Sequence, residues 1–425
     1  MPLQRSCNIG FVSTRLAGMD GVSLETDKWS QVFEQEGLEC FYLAGELDCP
    51  ADKGYLVEKA HFRHPQVRTI QEESFGVSTR KRDVTRKIQH IKDELKEDIY
   101  IFLKKFDIKI LVVENALAIP MNIPLGLALT EVIAETGIKT IAHHHDFFWE
   151  RQRFLKNCVW DYLNMSFPPH LPSIHHVVIN SSAANQLSLR TGISPTIIPN
   201  VMDFENTPEP VDEYASDVRW SLDIADDEFF ILQPTRVVKR KGIESAIELA
   251  HRLGLKAKLV ISHATGDEGH EYEQRIQDYS ALLNVNTLFE SDIIKDYRGQ
   301  TPEGRKVYCL SDIYPHADLV TYPSTFEGFG NAFLEAIYFR KPIVVNTYSI
   351  YTIDIEPKGF QVIKLNGYVT DEAIRQTREV LNNPDLRREM VEHNYKLARL
   401  YYSYSVLRQK LRILILDCLG KKAEG

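Results

Sequence analysis

Two carboxylates and two cations carry the strongest chemical signal in this chain. Glu327 and Glu335 bracket Gly328-Phe329-Gly330-Asn331-Ala332-Phe333-Leu334. The apolar run before them, Asp318 to Ser324, reads as a buried strand ending in a turn, and Ala336 to Phe339 reads as helix. Glu327 is therefore expected in a loop at a strand's carboxyl end, and Glu335 about one turn inside the next helix. Gly328 and Gly330 let the backbone approach a ligand, and the unpaired N–H groups of the helix start favour an anion. Amides for phosphate beside carboxylates for hydroxyls suit a sugar joined to phosphate. A second strand-like run, Phe229 to Gln233, leads into Pro234-Thr235-Arg236-Val237-Val238-Lys239-Arg240-Lys241-Gly242. Arg236 and Lys241 then stand where open α/β sheets bind ligands. Arginine offers a planar fork to phosphate oxygens and lysine a compact charge. Lys239 and Arg240 read as solvated. Taken singly, either peptide is also an ordinary turn of an α/β protein.

A third cluster is Ile141-Ala142-His143-His144-His145-Asp146, followed by Phe147-Phe148-Trp149-Glu150-Arg151. Side chains alternate along a strand, so three consecutive histidines cannot all converge on one ion, and no metal is expected. Which of His143, His144 and His145 points toward a ligand is open. Asp146 reads as an acceptor contact or as a helix cap. Trp149, Glu150 and Arg151 read as a packed aromatic with a surface ion pair, or as acceptor-side lining. After the first strand, Gly18 and Gly21 flank Met19-Asp20; they permit close backbone approach or serve a tight turn, and Asp20 has no assigned role. The basic run Arg80-Lys81-Arg82 with Arg86 and Lys87 reads as a solvated helix face. Its functional alternatives are contact with an anionic acceptor through Arg86 and Lys87, or with a membrane surface. Interleaved Asp83, Asp93 and Glu94 weaken the membrane reading.

The elements needed to position these groups alternate along the chain. Strands are expected at Asn8 to Ser13, Phe41 to Leu43, Ile108 to Glu114, Lys139 to Ala142, His176 to Asn180 and Thr196 to Ile198. Helices are expected at Leu24 to Glu36, Thr79 to Phe106 and Pro124 to Thr136, with apolar Val84, Ile88, Ile91, Leu95, Ile99 and Leu103 at helical spacing. A polar stretch, Asp48 to Glu73, shows no strong period. Such alternation indicates parallel sheets with crossover helices. At 425 residues, 44% hydrophobic, two domains are the natural expectation. The net charge of −9 argues against a general nucleic-acid binder. Six scattered cysteines without a Cys-x-x-Cys pair favour reduced thiols and a cytoplasmic location. The start lacks the apolar core of a leader, and no apolar run is long enough for an integral membrane span, though peripheral contact stays open.

The two acidic and two basic positions together resemble the signature of the retaining glycosyltransferases of family four. It reads Glu, seven residues, Glu, preceded by Arg, four residues, Lys-Gly; here it falls on Glu327, Glu335, Arg236 and Lys241-Gly242. The resemblance spans most of the chain and is strongest from about 196 to 345. It implies two Rossmann-like domains facing across a cleft, the GT-B arrangement. Residues 1–203 would form the N-terminal, acceptor-binding domain and residues 204–385 the C-terminal, nucleotide-sugar-binding domain. Helices in 386–425 would pack back toward the first domain. The junction Pro199-Asn200-Val201-Met202-Asp203 resembles the family's Pro-Asn-Gly-Val-Asp, without its glycine.

In this resemblance His145, Arg236, Lys241 and Glu327 are the catalytic positions. Gly18, Gly21, Gly328, Phe329, Gly330, Asn331, Ala332 and Glu335 contact the donor, with Glu335 on ribose hydroxyls. Asp146, His144, Arg86 and Lys87 are the acceptor-side candidates. The implied reaction is retaining transfer of a hexose, glucose or mannose, from a donor such as GDP-mannose or UDP-glucose to a hydroxyl of a small, soluble, anionic acceptor, such as a glycosylglycerate or sucrose phosphate. No cofactor and no metal are implied, consistent with the absence of Asp-x-Asp. Domain closure would exclude water and protect the donor. Other members act on polysaccharides or glycolipids. A nucleotide-sugar epimerase or an inert nucleotide-sugar binder shares the fold. A dinucleotide oxidoreductase is disfavoured because no Gly-x-Gly-x-x-Gly follows the first strand. The segment Glu290 to Ser311 reads as an insertion, either a surface loop or an element that tunes the choice of base. Oligomeric state is not legible.

Overall fold

The computed structural model describes residues 7–18, 20–263 and 270–420. Met19 of the glycine loop and the Met1–Ser6 start read above lie outside them. The chain divides into two compact units, Met1–Val201 with Tyr404–Gly425, and Met202–Ser403.

The first unit is built on seven strands: β1 (Asn8–Val12), β2 (Glu39–Ala44), β3 (Gly54–Leu56), β4 (Ile108–Glu114), β5 (Lys139–His144), β6 (Ile174–Val178) and β7 (Thr196–Ile197). All pair in parallel, in the order β3-β2-β1-β4-β5-β6-β7. β4 is a continuous apolar run, with Ile110, Leu111, Val112 and Val113 fully buried. Such a run suits a strand covered on both faces. One cover is the helix Arg82–Lys105, whose Val84, Ile88, Ile91, Leu95, Ile99 and Phe102 form a buried stripe. Each such side chain contributes about 1.5–3 kcal/mol of burial. Strand order reverses between β1 and β4, so a crevice opens beyond their carboxyl ends.

The second unit repeats this plan with β8 (Phe229–Gln233), β9 (Ala257–Ile261), β10 (Asn286–Phe289), β14 (Leu319–Tyr322), β15 (Ile343–Asn346) and β16 (Ile363–Leu365). Their order is β10-β9-β8-β14-β15-β16, again parallel throughout, and the reversal lies between β8 and β14. The two glycosyltransferase-like peptides therefore leave the two strands that flank the reversal. Residues 290–311, read as a loop or a base-tuning element, hold a small mixed sheet of β11 (Ile294–Lys295), β12 (Gly299–Gln300) and β13 (Lys306–Cys309), in the order β11-β13-β12. The Tyr214 hydroxyl donates to the Val307 carbonyl at 2.7 Å, and Arg298 pairs with Asp212 and Asp312.

Several sequence expectations shift. The polar stretch from Asp48 contains β3 and a helix, Pro65–Ser74; a three-residue edge strand leaves no period to read. The strand expected at His176 to Asn180 lies at Ile174–Val178. The helices expected in 386–425 are Pro384–Tyr401 and Tyr404–Leu419. Tyr402 leaves the helical conformation (φ −133), and its buried ring packs on Phe329 and Phe360. Pro384–Tyr401 stays with the second unit, whereas Tyr404–Leu419 joins the first. There Leu407, Leu411, Leu414 and Ile415 share a core with Trp29, Phe33, Ile9 and Phe11.

Candidate active site

In the second unit, the segment after β8 curls into a short 3-10 turn, Lys239–Lys241, ending at Gly242 (φ +62). A Cβ at Gly242 would stand 2.4 Å from the Pro323 carbonyl oxygen, so only glycine lets this turn lie against the loop after β14. That approach brings Lys241 onto Glu327 Oε1 in a short ion pair, while Arg240 Nη1 reaches Glu327 Oε2 at 3.0 Å. Arg240, read as solvated, is thus half-buried and paired. The short turn points two successive cations at one carboxylate, a feature not visible in spacing alone. Lys241 and Glu327 are 9% and 8% exposed. Burial lowers the Lys241 pKa, against the pull of Glu327. Burial also opposes ionisation of Glu327, but Lys241 and Arg240 outweigh it and hold its pKa below the ordinary carboxylate value.

Arg236 is exposed. Its charge and that of Lys241 act, after burial, to push the His263 pKa down to about 4. His263 lies two residues past the end of β9 and was not singled out from sequence; its only signal is a histidine just beyond an apolar strand. Downstream, the helix Asn331–Tyr338 begins at Gly330 (φ +123). The Tyr348 hydroxyl donates to the Phe329 carbonyl at 2.7 Å, which fixes this entry. Gly328, Phe329, Asn331 and Ala332 lie in the same loop and first helical turn. Glu335 lies one turn further, and its Oε2 accepts from the buried Tyr314 hydroxyl at 2.8 Å. Burial, then the charge of Glu335, keeps Tyr314 protonated.

In the first unit, His143 near the end of β5 and His145 just beyond it both reach one carboxylate. His143 Nδ1 and His145 Nε2 lie 2.9 and 3.2 Å from Oε2 of Glu114, the fully buried last residue of β4. Trp29 stacks on His143 at 4.3 Å. Burial opposes charge on His145, but Glu114 and then Glu25 and Asp146 raise its pKa above the ordinary value. Burial wins for His143, whose pKa is lowered. Asn115 (φ +58) accepts from the His145 backbone N–H at 3.0 Å and donates to Asp146 Oδ1 at 3.0 Å. Asp146 also accepts from Arg151 Nε at 2.5 Å. Glu114, His143 and His145 offer three ligand atoms within 4.8 Å of one another, the one grouping of described residues that could hold a metal ion. The three histidines do not all converge, as expected, since His144 pairs with His176, but His143 and His145 come together on Glu114.

His144 is fully buried with its Nε2 2.9 Å from His176 Nδ1, so it is a packing group and not an exposed acceptor contact. Arg86 is exposed on the helix Arg82–Lys105, and Lys87 there pairs with Glu73 and Asp83. Gly18 (φ +70) donates its N–H to Asp48 Oδ2, and Gly21 opens the helix Gly21–Gln35. Asp20 caps that helix, accepting from Val22 and Ser23, which starts it three residues earlier than expected.

Comparison with known proteins agrees with these features. Residues 216–397 match the family described as Glycosyl transferases group 1. A mannosylglucosylglycerate synthase of Petrotoga mobilis is 32% identical, covering 84% of this chain and 86% of its own. One from Thermotoga maritima is 31% identical over 95% of this chain and 98% of its own. Among solved structures, a glycosyltransferase from Rickettsia africae superposes with a TM-score of 0.67 at 13% identity, over 98% of this chain and 100% of that one. The chain belongs to the group 1 glycosyltransferases and has their GT-B type of fold, with two parallel-sheet α/β domains. It is a glycosyltransferase. Among the described residues no helix is long and apolar enough to cross a membrane.

Proposed function

We propose that the protein is a retaining, metal-independent hexosyltransferase that moves mannose or glucose from a nucleotide diphosphate sugar to a hydroxyl of a small sugar acid. The observation that carries this reading is the convergence of Arg240, Lys241 and Glu327 beside the start of the helix Asn331–Tyr338, at the strand reversal of the second unit. The names of the two full-length relatives support mannose, glucose and glycerate as the components of the product. In this reading the second unit holds the donor. Arg236 and Lys241 stabilise the charge that grows on the departing diphosphate, where a preorganised cation is most effective. Backbone amides of Gly328 to Ala332 add to that field. Glu327 takes a hydroxyl of the donor sugar, and Glu335, aimed by Tyr314, takes the ribose hydroxyls.

The first unit holds the acceptor, with His145 against the reacting sugar and Asp146 beside the incoming hydroxyl. The reaction proceeds on one face: the leaving phosphate oxygen takes the acceptor's proton as the new glycosidic bond forms, so no protein nucleophile is required. Six free cysteines support a reducing, cytoplasmic setting. Incubation with labelled GDP-mannose and UDP-glucose, each with a glucosylglycerate acceptor, tests the proposal. A new glycoside with the donor's anomeric configuration supports it. An isomerised donor sugar, or binding without turnover, refutes it.

A further inference from the structure

At the strand reversal of the first unit lies a cavity of about 210 Å³, lined by the turn after β1 (Ser13, Thr14, Arg15), the turn after β4 (Glu114, Asn115) and Arg151. It is smaller than the roughly 300–1,000 Å³ of sites that enclose whole drug-sized ligands. Its floor is shared with the His145 cluster, because Asn115 holds both the His145 backbone and Asp146.

The two guanidiniums are anchored in a particular way. Arg15 donates Nε and Nη2 to the Ala17 carbonyl and lies 3.3 Å from Asp20. Its Nη1 has no protein partner among the described residues. Arg151 is fixed through Nε to Asp146, and neither of its Nη nitrogens has a partner among the described residues. The carboxylates at the rim are already occupied: Asp20 accepts from Val22, Ser23 and the Ser23 hydroxyl, and Glu114 serves two histidines. Three guanidinium nitrogens without protein partners among the described residues thus belong to residues lining a small cavity; its acids are engaged at Asp20 and at Glu114 Oε2, while Glu114 Oε1 is buried without a partner and Glu46 Oε2 lies 3.8 Å from Arg15 Nε. Arginine forks in this arrangement match a planar carboxylate.

We infer that Arg15 and Arg151 form the carboxylate-binding end of the acceptor site, taking a three-carbon acid such as the glycerate end of a glycoside. This rests on the acceptor reading above and places acid recognition at this cavity, whose lining includes neither Arg86 nor Lys87. Thr14, and Ser13 as an acceptor, line the same cavity and would hold the acid's hydroxyls.

The test compares glucosylglycerate with glucosylglycerol, which carries CH₂OH in place of the carboxylate, in the wild type and in Arg15→Gln, Arg151→Gln and Arg151→Lys. Each glutamine variant should lose about ten- to hundred-fold of the acid-over-neutral preference in kcat/KM, the effect of one charge-assisted hydrogen bond. Donor KM should stay put, and Arg151→Lys should recover part of the preference. Equal losses for both acceptors, or an unchanged preference, overturn the inference while leaving the glycosyltransferase reading intact. Calorimetric titration of sodium D-glycerate into the donor-free protein gives a readout without turnover. Arginine-dependent binding there supports the site even if no sugar is transferred; equal binding by wild type and both glutamine variants refutes it.

Discussion

His145 Nε2 stands 3.2 Å from the Glu114 carboxylate, a fully buried acid that also serves His143. Because the Glu114 charge raises the His145 pKa above its ordinary 6.5, this pairing contributes stability that is fully present below that value and lost as pH rises through the folded pKa. Glu114 is depressed below its ordinary 4.5, its two histidines outweighing its burial, so its share is present above 4.5 and lost as pH falls through the folded value. The pair should therefore stabilise most between those two ordinary values. In Glu114→Gln, the His145 imidazole resonances should titrate at lower pH than in the wild type. The variant should also lose about 1–3 kcal/mol in urea unfolding at pH 6, with a smaller loss at pH 9. An unmoved His145 titration would refute the coupling.

Removing either side of the Lys241–Glu327 pair should have unequal structural effects and similar catalytic ones. Glu327→Ala strands two cations, one of them nearly buried, and should cost about 3–5 kcal/mol. Lys241→Ala leaves Glu327 on Arg240 at 3.0 Å and should cost less. Both should lower kcat by about 10²–10³, the usual effect of deleting one preorganised group at a developing charge. Urea melts and initial rates measured together check this. Near-wild-type kcat in either variant would remove the pair from the chemistry.

The sequence was most legible where chemistry and periodicity coincide. β4 and β8 have the bounds expected, because four- to seven-residue apolar runs between turns have few alternatives, and Glu327 and Glu335 fall in the loop and helix assigned to them. What escaped reading depends on backbone curvature or on distant partners. Arg240 joins the site only because a 3-10 turn follows Val238. Glu114 looked like the last residue of a strand, and nothing local shows that His143 in β5 and His145 just after it, 29 and 31 residues on, would bond to it. Arg15 and Arg151 meet across 136 positions by way of a strand reversal, which one-dimensional spacing does not encode.

Gly330 allows a sharper test of the donor loop. Its φ of +123 is disfavoured for any side chain, and a Cβ there would lie 2.6 Å from the Tyr348 hydroxyl, which is engaged with the Phe329 carbonyl. Gly330→Ala should destabilise by about 1–3 kcal/mol from backbone strain alone and raise donor KM by displacing the start of the helix. Adding Tyr348→Phe removes the clashing oxygen but not the strain, so the double variant should recover only part of the thermal stability. Full recovery would show that φ at Gly330 is irrelevant, and no loss in the single variant would show that the loop adapts freely.

The Glu114, His143 and His145 trio gives metal independence a direct test. Two imidazoles and a carboxylate are a ligand set for several divalent ions, and the three ligand atoms are close enough to share one. The same atoms already satisfy one another: both ring nitrogens lie within hydrogen-bond distance of one carboxylate oxygen. A bound cation would have to displace both contacts and deprotonate His145, whose pKa is raised, so binding would be opposed at neutral and lower pH. Prolonged dialysis against EDTA should therefore leave the transfer rate unchanged, and added zinc or manganese should not increase it. Loss of activity on chelation, restored by a single metal and absent in His143→Ala, would instead make this trio a metal centre and assign His145 to the ion.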